Sequence, residues 1–176
     1  RLGLEGTDDD GDGRWNEDPE GGVDLNRNFP AYWRPEGRQD GAGPFPLSEP
    51  ETRATALWLL DHPRVAGVQS YHNAGRMILR PPAGLTEREV SFPWEDRQIY
   101  DEIARRGLHV LPTYRYLSVR EDLYVAFGTF VEWAYADLGA FAFTNELWGG
   151  VGRDVPGAPE DGELAALAWN DVALHG

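Results

Sequence analysis

The chain has no cysteine in its 176 residues. That removes disulfides, thiolate nucleophiles and cysteine-ligated zinc at once. Lysine is absent too, so the 16 basic residues are all arginine. They are outnumbered by 30 Asp and Glu, for a net charge of -14. A balance of that sign repels nucleic-acid phosphates and argues against a nucleic-acid partner, while leaving cation binding open. No apolar run approaches the roughly 18 residues of a membrane span, so no segment is expected to cross a bilayer. With 41% hydrophobic and 26% charged residues, the composition suits one globular domain with a real core. The chain opens on Arg1 and stops just after an apolar helical pattern, so both ends read as cuts in a longer protein.

Residues 1–46 are rich in Gly, Pro, Asp and Asn and read as loop, with one short element around Leu25–Trp33. Ser48-Glu49-Pro50-Glu51 has the form of a capping box, with Ser48 as N-cap, Glu51 at N3 and Pro50 in the first turn. A helix over Thr52–Asp61 should follow, ended by His62-Pro63. Val65–Tyr71 reads as a buried strand and Met77–Arg80 as another. A helix from Pro93 to about Arg106 carries Ile99, Ile103 and Ala104 as its apolar stripe, with Gly107 at its end. Thr129–Leu138 has helical spacing up to Gly139, Ala140–Leu147 is a strand, and Glu163–Leu174 is a last amphipathic helix. Strands alternating with helices imply an α/β fold: three layers, with a mixed parallel and antiparallel sheet between helices.

His72 follows a strand and precedes a glycine turn, where α/β sheets present ligands. Three further segments flank it in the chain. Upstream is Asp24-Leu25-Asn26-Arg27-Asn28. Downstream are Leu123-Tyr124, with Val131-Glu132 seven residues on, and the strand Phe143-Thr144-Asn145-Glu146-Leu147. His72 to Tyr124 is 52 residues and Tyr124 to Glu146 is 22. In this order and spacing the segments resemble the C-terminal half of a zinc carboxypeptidase of the funnelin (carboxypeptidase A-like) family. The resemblance covers Asp24 to Leu147 well and the first 20 residues poorly. It implies that the 176 residues are the C-terminal portion of one catalytic domain lacking its first strands.

The resemblance also implies roles. His72, in Ser70-Tyr71-His72-Asn73-Ala74-Gly75, would be one zinc ligand, since neutral imidazole suits zinc and a catalytic site takes three protein ligands plus water. Glu146 would be the general base, taking a proton from metal-activated water. Asn26 and Arg27 would bind the substrate's terminal carboxylate, for which a guanidinium offers two parallel charge-assisted bonds. Tyr124 would close over the same carboxylate. Val131 falls where the family sets the floor of the terminal-side-chain pocket, and valine there implies apolar or aromatic terminal residues; a slip of one position would put the acid Glu132 there instead. The family's carbonyl-polarising arginine has no clear counterpart; Arg14 is the nearest candidate and Arg1 the next. The family's zinc pair His-x-x-Glu occurs nowhere in the sequence, so the chain alone is two ligands short and should be inactive by itself.

Asp8-Asp9-Asp10-Gly11-Asp12-Gly13 adds a second metal signal. Alternating oxygen ligands and a glycine turn suit a hard calcium ion, with Asp8, Asp10, Asp12 and Asp18 as ligands. Pro19 stands where an EF-hand has Glu, so the loop, at 8–18, is not an EF-hand; it suits an extracellular, calcium-replete setting. Two other readings compete with the exopeptidase acting on peptide or protein C-termini. One is a calcium-stabilised binding or structural module without chemistry; the other is an amidase acting on peptidoglycan peptides or acylated amino acids.

Overall fold

The computed structural model describes residues 22–73 and 75–147. A 3-10 turn, Leu25–Arg27, comes first. Then follow α1 (Pro50–Leu60), β1 (Gly67–Asn73), β2 (Met77–Arg80) and α2 (Trp94–Val110). β3 (Arg115–Ser118) runs into a π-helical turn (Val119–Leu123), and α3 (Phe130–Ala136) and β4 (Phe141–Leu147) complete the series. The strands form one mixed sheet in the order β1-β4-β2-β3. β1 is parallel to β4, β2 is parallel to β3, and β2 is antiparallel to β4.

Alternation along β4 builds the layers, because successive strand side chains point to opposite faces. Phe143, with Phe141 beside it, meets Tyr100 and Ala104 of α2 together with Ile78. Ala142 faces the other way, into a cluster with Leu79, Val119 and the α3 residues Val131 and Ala134. The small side chain at 142 lets α3 lie close to the sheet. α1 packs on that same side through Ala56 and Leu59, against Trp133 of α3 and Phe29 and Ala31 of the preceding loop. Helices therefore cover both faces, giving the expected three-layer α/β architecture with a mixed sheet. The register pairs Val68 with Ala142, Ser70 with Thr144 and His72 with Glu146, which puts His72 and Glu146 on the α1–α3 face.

Local readings of the sequence needed correction where tertiary contacts prevailed. Ser48 does not cap α1: the helix starts at Pro50 with Glu49 as N-cap and no side-chain cap of its own. Asn28, from the preceding loop, accepts from Glu49 N–H at 3.3 Å and from the Thr52 hydroxyl at 2.8 Å. The Ser48 hydroxyl instead donates to Glu49 Oε1 and accepts from Asn28. In α2, Ala104 is buried as expected, but Ile99 and Ile103 are 43% and 44% exposed. Tyr100 takes the core position, because the helix is rotated by one residue. Gly107 does not end α2, which runs on to Val110. It marks a close crossing, where an added Cβ would come 3.0 Å from Ile78 Cδ1. β1 begins at Gly67 rather than Val65 and is not buried; its residues alternate between exposed and half-buried, because it is an edge strand among the described residues. β3 and the π-helical turn went unread. The expected helix over 163–174 lies outside the described residues.

Candidate active site

β1 and β4 run side by side in register, so His72 lies opposite Glu146 near the carboxyl ends of both strands. His72 Nδ1 stands 3.9 Å from Glu146 Oε1, too far for a hydrogen bond. Their side chains are 31% and 15% exposed. Burial raises the Glu146 carboxyl above its ordinary range, and the neighbouring His72 pulls it back. A carboxylate made more basic in this way is a better proton acceptor. One pair deeper, the Ser70 and Thr144 hydroxyls are hydrogen-bonded at 2.9 Å. The chain after β1 crosses the end of β4, and Gly75 N–H donates to the Leu147 carbonyl at 3.0 Å. The two strand ends are thereby tied together at the mouth of the site.

The segment 24–28 is held at both ends. Asp24 caps the 3-10 turn, its Oδ1 accepting from Asn26 N–H at 2.8 Å. Asn28 is fully buried. Its amide group donates to the Ala42 and Phe45 carbonyls and to Ser48 Oγ, while its oxygen serves the start of α1. Phe29 N–H donates to the Gly128 carbonyl at 2.9 Å. Asn26 Oδ1 accepts from Phe130 N–H at 2.8 Å, so the end of the amide left to meet a ligand is the NH2 donor. Asn26 and His72, with Ser70 and Phe130, line one cavity of about 270 Å3. Arg27 lies 3.8 Å from Asp24, and its guanidinium carbon is 5.9 Å from the centre of the Tyr124 ring. Tyr124 is 53% exposed and directly follows the π-helical turn, a feature often found at functional sites.

Val131 is buried with Leu79, Ala83 and Val119. Glu132 faces elsewhere: its two oxygens accept from Ala83 N–H at 3.1 Å and Gly84 N–H at 2.8 Å. The structure thus brings His72, Glu146, Asn26, Arg27 and Tyr124 together in successive pairs and places Val131 in the adjoining apolar cluster. Asp8, Asp10, Asp12 and Asp18, with Arg1 and Arg14, lie outside the described residues. Sequence reading missed Asn28 and the anchoring contacts of Glu132. Thr129-Phe130-Val131-Glu132 does have capping-box form, but that pattern would send Glu132 back to Thr129, not to Ala83.

Residues 3–153 match the family model for zinc carboxypeptidases. The chain belongs to the zinc carboxypeptidase family. Carboxypeptidase A6 of Mus musculus is 33% identical over 134 residues, covering 72% of this chain and 30% of the relative. Carboxypeptidase A5 of Homo sapiens is 33% identical over 136 residues, with the same shares. The chain thus spans about 30% of the length of the curated zinc carboxypeptidases it matches. Among solved structures, thrombin activatable fibrinolysis inhibitor superposes with a TM-score of 0.56 at 28% identity, covering 71% of this chain and 35% of that one. A complex of the bovine form of that protein with tick carboxypeptidase inhibitor shares the fold, with a TM-score of 0.55 at 23% identity, over 81% and 49% of the two chains.

Membership of the family implies zinc. Among the described residues no three His, Cys, Asp or Glu side chains are grouped to hold a metal ion. His72 fits as one ligand, partly exposed at a strand end with Glu146 close by but not hydrogen-bonded to it. A complete shell needs ligands from beyond the described residues.

Proposed function

We propose that the protein carrying this chain hydrolyses the C-terminal peptide bond of peptides or proteins. The observation that carries this reading is the register pairing of Glu146 with His72, which itself lines a cavity with Asn26, whose neighbour Arg27 lies under Tyr124. An exopeptidase must recognise a terminal carboxylate beside the scissile bond, and these residues offer recognition and proton transfer side by side.

Arg27 and the Asn26 amide donors would bind the terminal carboxylate, with the exposed ring of Tyr124 covering it. Glu146 would take a proton from the attacking water and pass it to the departing amine. His72 would hold zinc together with two ligands outside the described residues, and zinc in such a site polarises water and the scissile carbonyl. Val131, packed with Leu79, Ala83 and Val119, is the residue we assign to the terminal-side-chain pocket, with a preference for apolar or aromatic residues. Glu132 is engaged with Ala83 and Gly84, so its carboxylate is not free to meet a basic terminal side chain.

Glu146→Gln in the intact protein is the direct test. Turnover should fall by about 10²–10⁴-fold, the range for a general base, with zinc content and substrate affinity retained. Turnover near that of the native protein would remove Glu146 from the role.

A further inference from the structure

Glu132 is 1% exposed and sits on α3. Among the described residues, the titratable groups that face it carry no positive charge. They are Tyr32 from the loop before α1, Asp137 just beyond α3, and Asp96 and Tyr135, which line a cavity of about 370 Å3 with it. A buried carboxylate without a counter-charge is costly, and an apolar residue would fill the same space at less cost. What the carboxylate does gain is the pair of N–H groups of Ala83 and Gly84.

Those N–H groups belong to a strip, 82–84, that faces two ways. On its other side the Pro82 carbonyl accepts from Arg120 N–H at 2.9 Å, and the Ala83 carbonyl accepts from Ala126 N–H at 3.0 Å. Arg120 and Ala126 bracket Tyr124. Within the bracket, Tyr124 N–H closes back on the Val119 carbonyl at 3.0 Å. The strip is also closely packed, since a Cβ at Gly84 would come 2.5 Å from the Phe127 ring. Helix α3 therefore holds the strip, and the strip holds both ends of the segment that carries Tyr124 over Arg27.

We propose that Glu132 is a positioning residue for substrate recognition: its two hydrogen bonds to Ala83 and Gly84 fix the strip that suspends the Tyr124 segment above Arg27. This deepens the exopeptidase reading and rests on it for its kinetic consequence. Burial, opposed by the two backbone N–H groups, brings the Glu132 carboxyl to about 7, and Asp137 adds to the rise. Acidification through that value turns one acceptor oxygen into a hydroxyl. One of the two N–H groups then loses its partner and the anchor slackens.

The test uses the intact protein and Glu132→Gln, whose side chain keeps one acceptor oxygen and sets an NH2 against the other N–H. Amide hydrogen exchange over 119–126 should quicken about tenfold, the factor for losing one charge-assisted hydrogen bond, while exchange in β1 stays unchanged. For peptides with a free terminal carboxylate, KM should rise by a similar factor of about ten with kcat little changed. Native KM should climb as pH falls through about 7 and the variant's should not. Equal quickening in β1, or none in 119–126, would overturn the proposal. A kcat loss at constant KM would do the same. If the variant fails to fold, the native protein decides. Its exchange over 119–126, corrected for the intrinsic pH dependence and referred to β1, should rise from about pH 8 to about pH 6, and a constant ratio overturns the proposal. Because exchange needs no turnover, an intact protein without peptidase activity would sink the exopeptidase reading while leaving the exchange result on the anchor readable.

Discussion

Replacing Asn28 with alanine would strip partners from the Ala42 and Phe45 carbonyls, Ser48 Oγ, Glu49 N–H and the Thr52 hydroxyl together. Buried groups left unpaired each cost about 1–3 kcal/mol, less whatever water or a second bond recovers. Ser48 and Thr52 keep contacts to Glu49, so the expected loss for Asn28→Ala is about 2–4 kcal/mol. Denaturant unfolding measures it, and a loss below about 1 kcal/mol would mean that the loop re-forms its bonds without Asn28. Nothing near Asn28 in the sequence announces this, because its partners lie up to 24 residues away. Asn26 and Arg27, by contrast, stand out in the sequence as candidates, because the Asp24–Asn28 segment resembles the family's and an amide beside a guanidinium suits a terminal carboxylate. Glu132 lies between these cases: its residue type is plain, but only the fold shows which N–H groups it meets.

Among the elements, those with strong periodicity and clear punctuation were legible from sequence. β2 matches its expected bounds, and α3 has Thr129 accepting from Glu132 N–H as N-cap. The turn after α3 has Gly139 at a φ of +69°, which suits glycine at a helix end. β3 was missed because four residues, Arg115–Ser118, carry no readable alternation. α2 was misplaced by one position because Ile99 and Ile103 outrank Tyr100 in hydrophobicity, although Tyr100 fills the core and its hydroxyl accepts from Ala142 N–H. The junction between the clamp segment and α3 gives the test at this scale. Gly128 has a φ of +68°, and an added Cβ would come 2.3 Å from the Arg27 carbonyl oxygen. Gly128→Ala should therefore destabilise the protein by more than the ~1 kcal/mol of an ordinary loop glycine. It should also raise KM for free-carboxylate peptides, because Arg27 must shift. Native-like KM with unaltered stability would show that the two segments are not coupled through this contact.

For the molecule as a whole, Glu132 makes stability depend on pH. Its folded carboxyl sits at about 7 against an ordinary 4.5, so between those values the folded state keeps a proton that the unfolded chain releases. The contribution is most favourable below about 4.5 and is lost as pH rises to about 7, with a swing on the order of 3 kcal/mol. Unfolding free energies of the native protein and Glu132→Gln, compared across that window, isolate the effect. The native protein should lose stability relative to the variant as pH rises, and a constant difference would refute the assignment. The side-by-side register of β1 and β4 has another consequence. His72 and Glu146 are matched partners on neighbouring strands, and side chains alternate with a period of two. A slip of one residue between these strands would turn one of the pair to the opposite face of the sheet. Strand pairing therefore offers no series of intermediate spacings between the imidazole and the carboxylate. A descendant of this chain can alter the separation only by changing a side chain, because the backbone admits the arrangement whole or not at all.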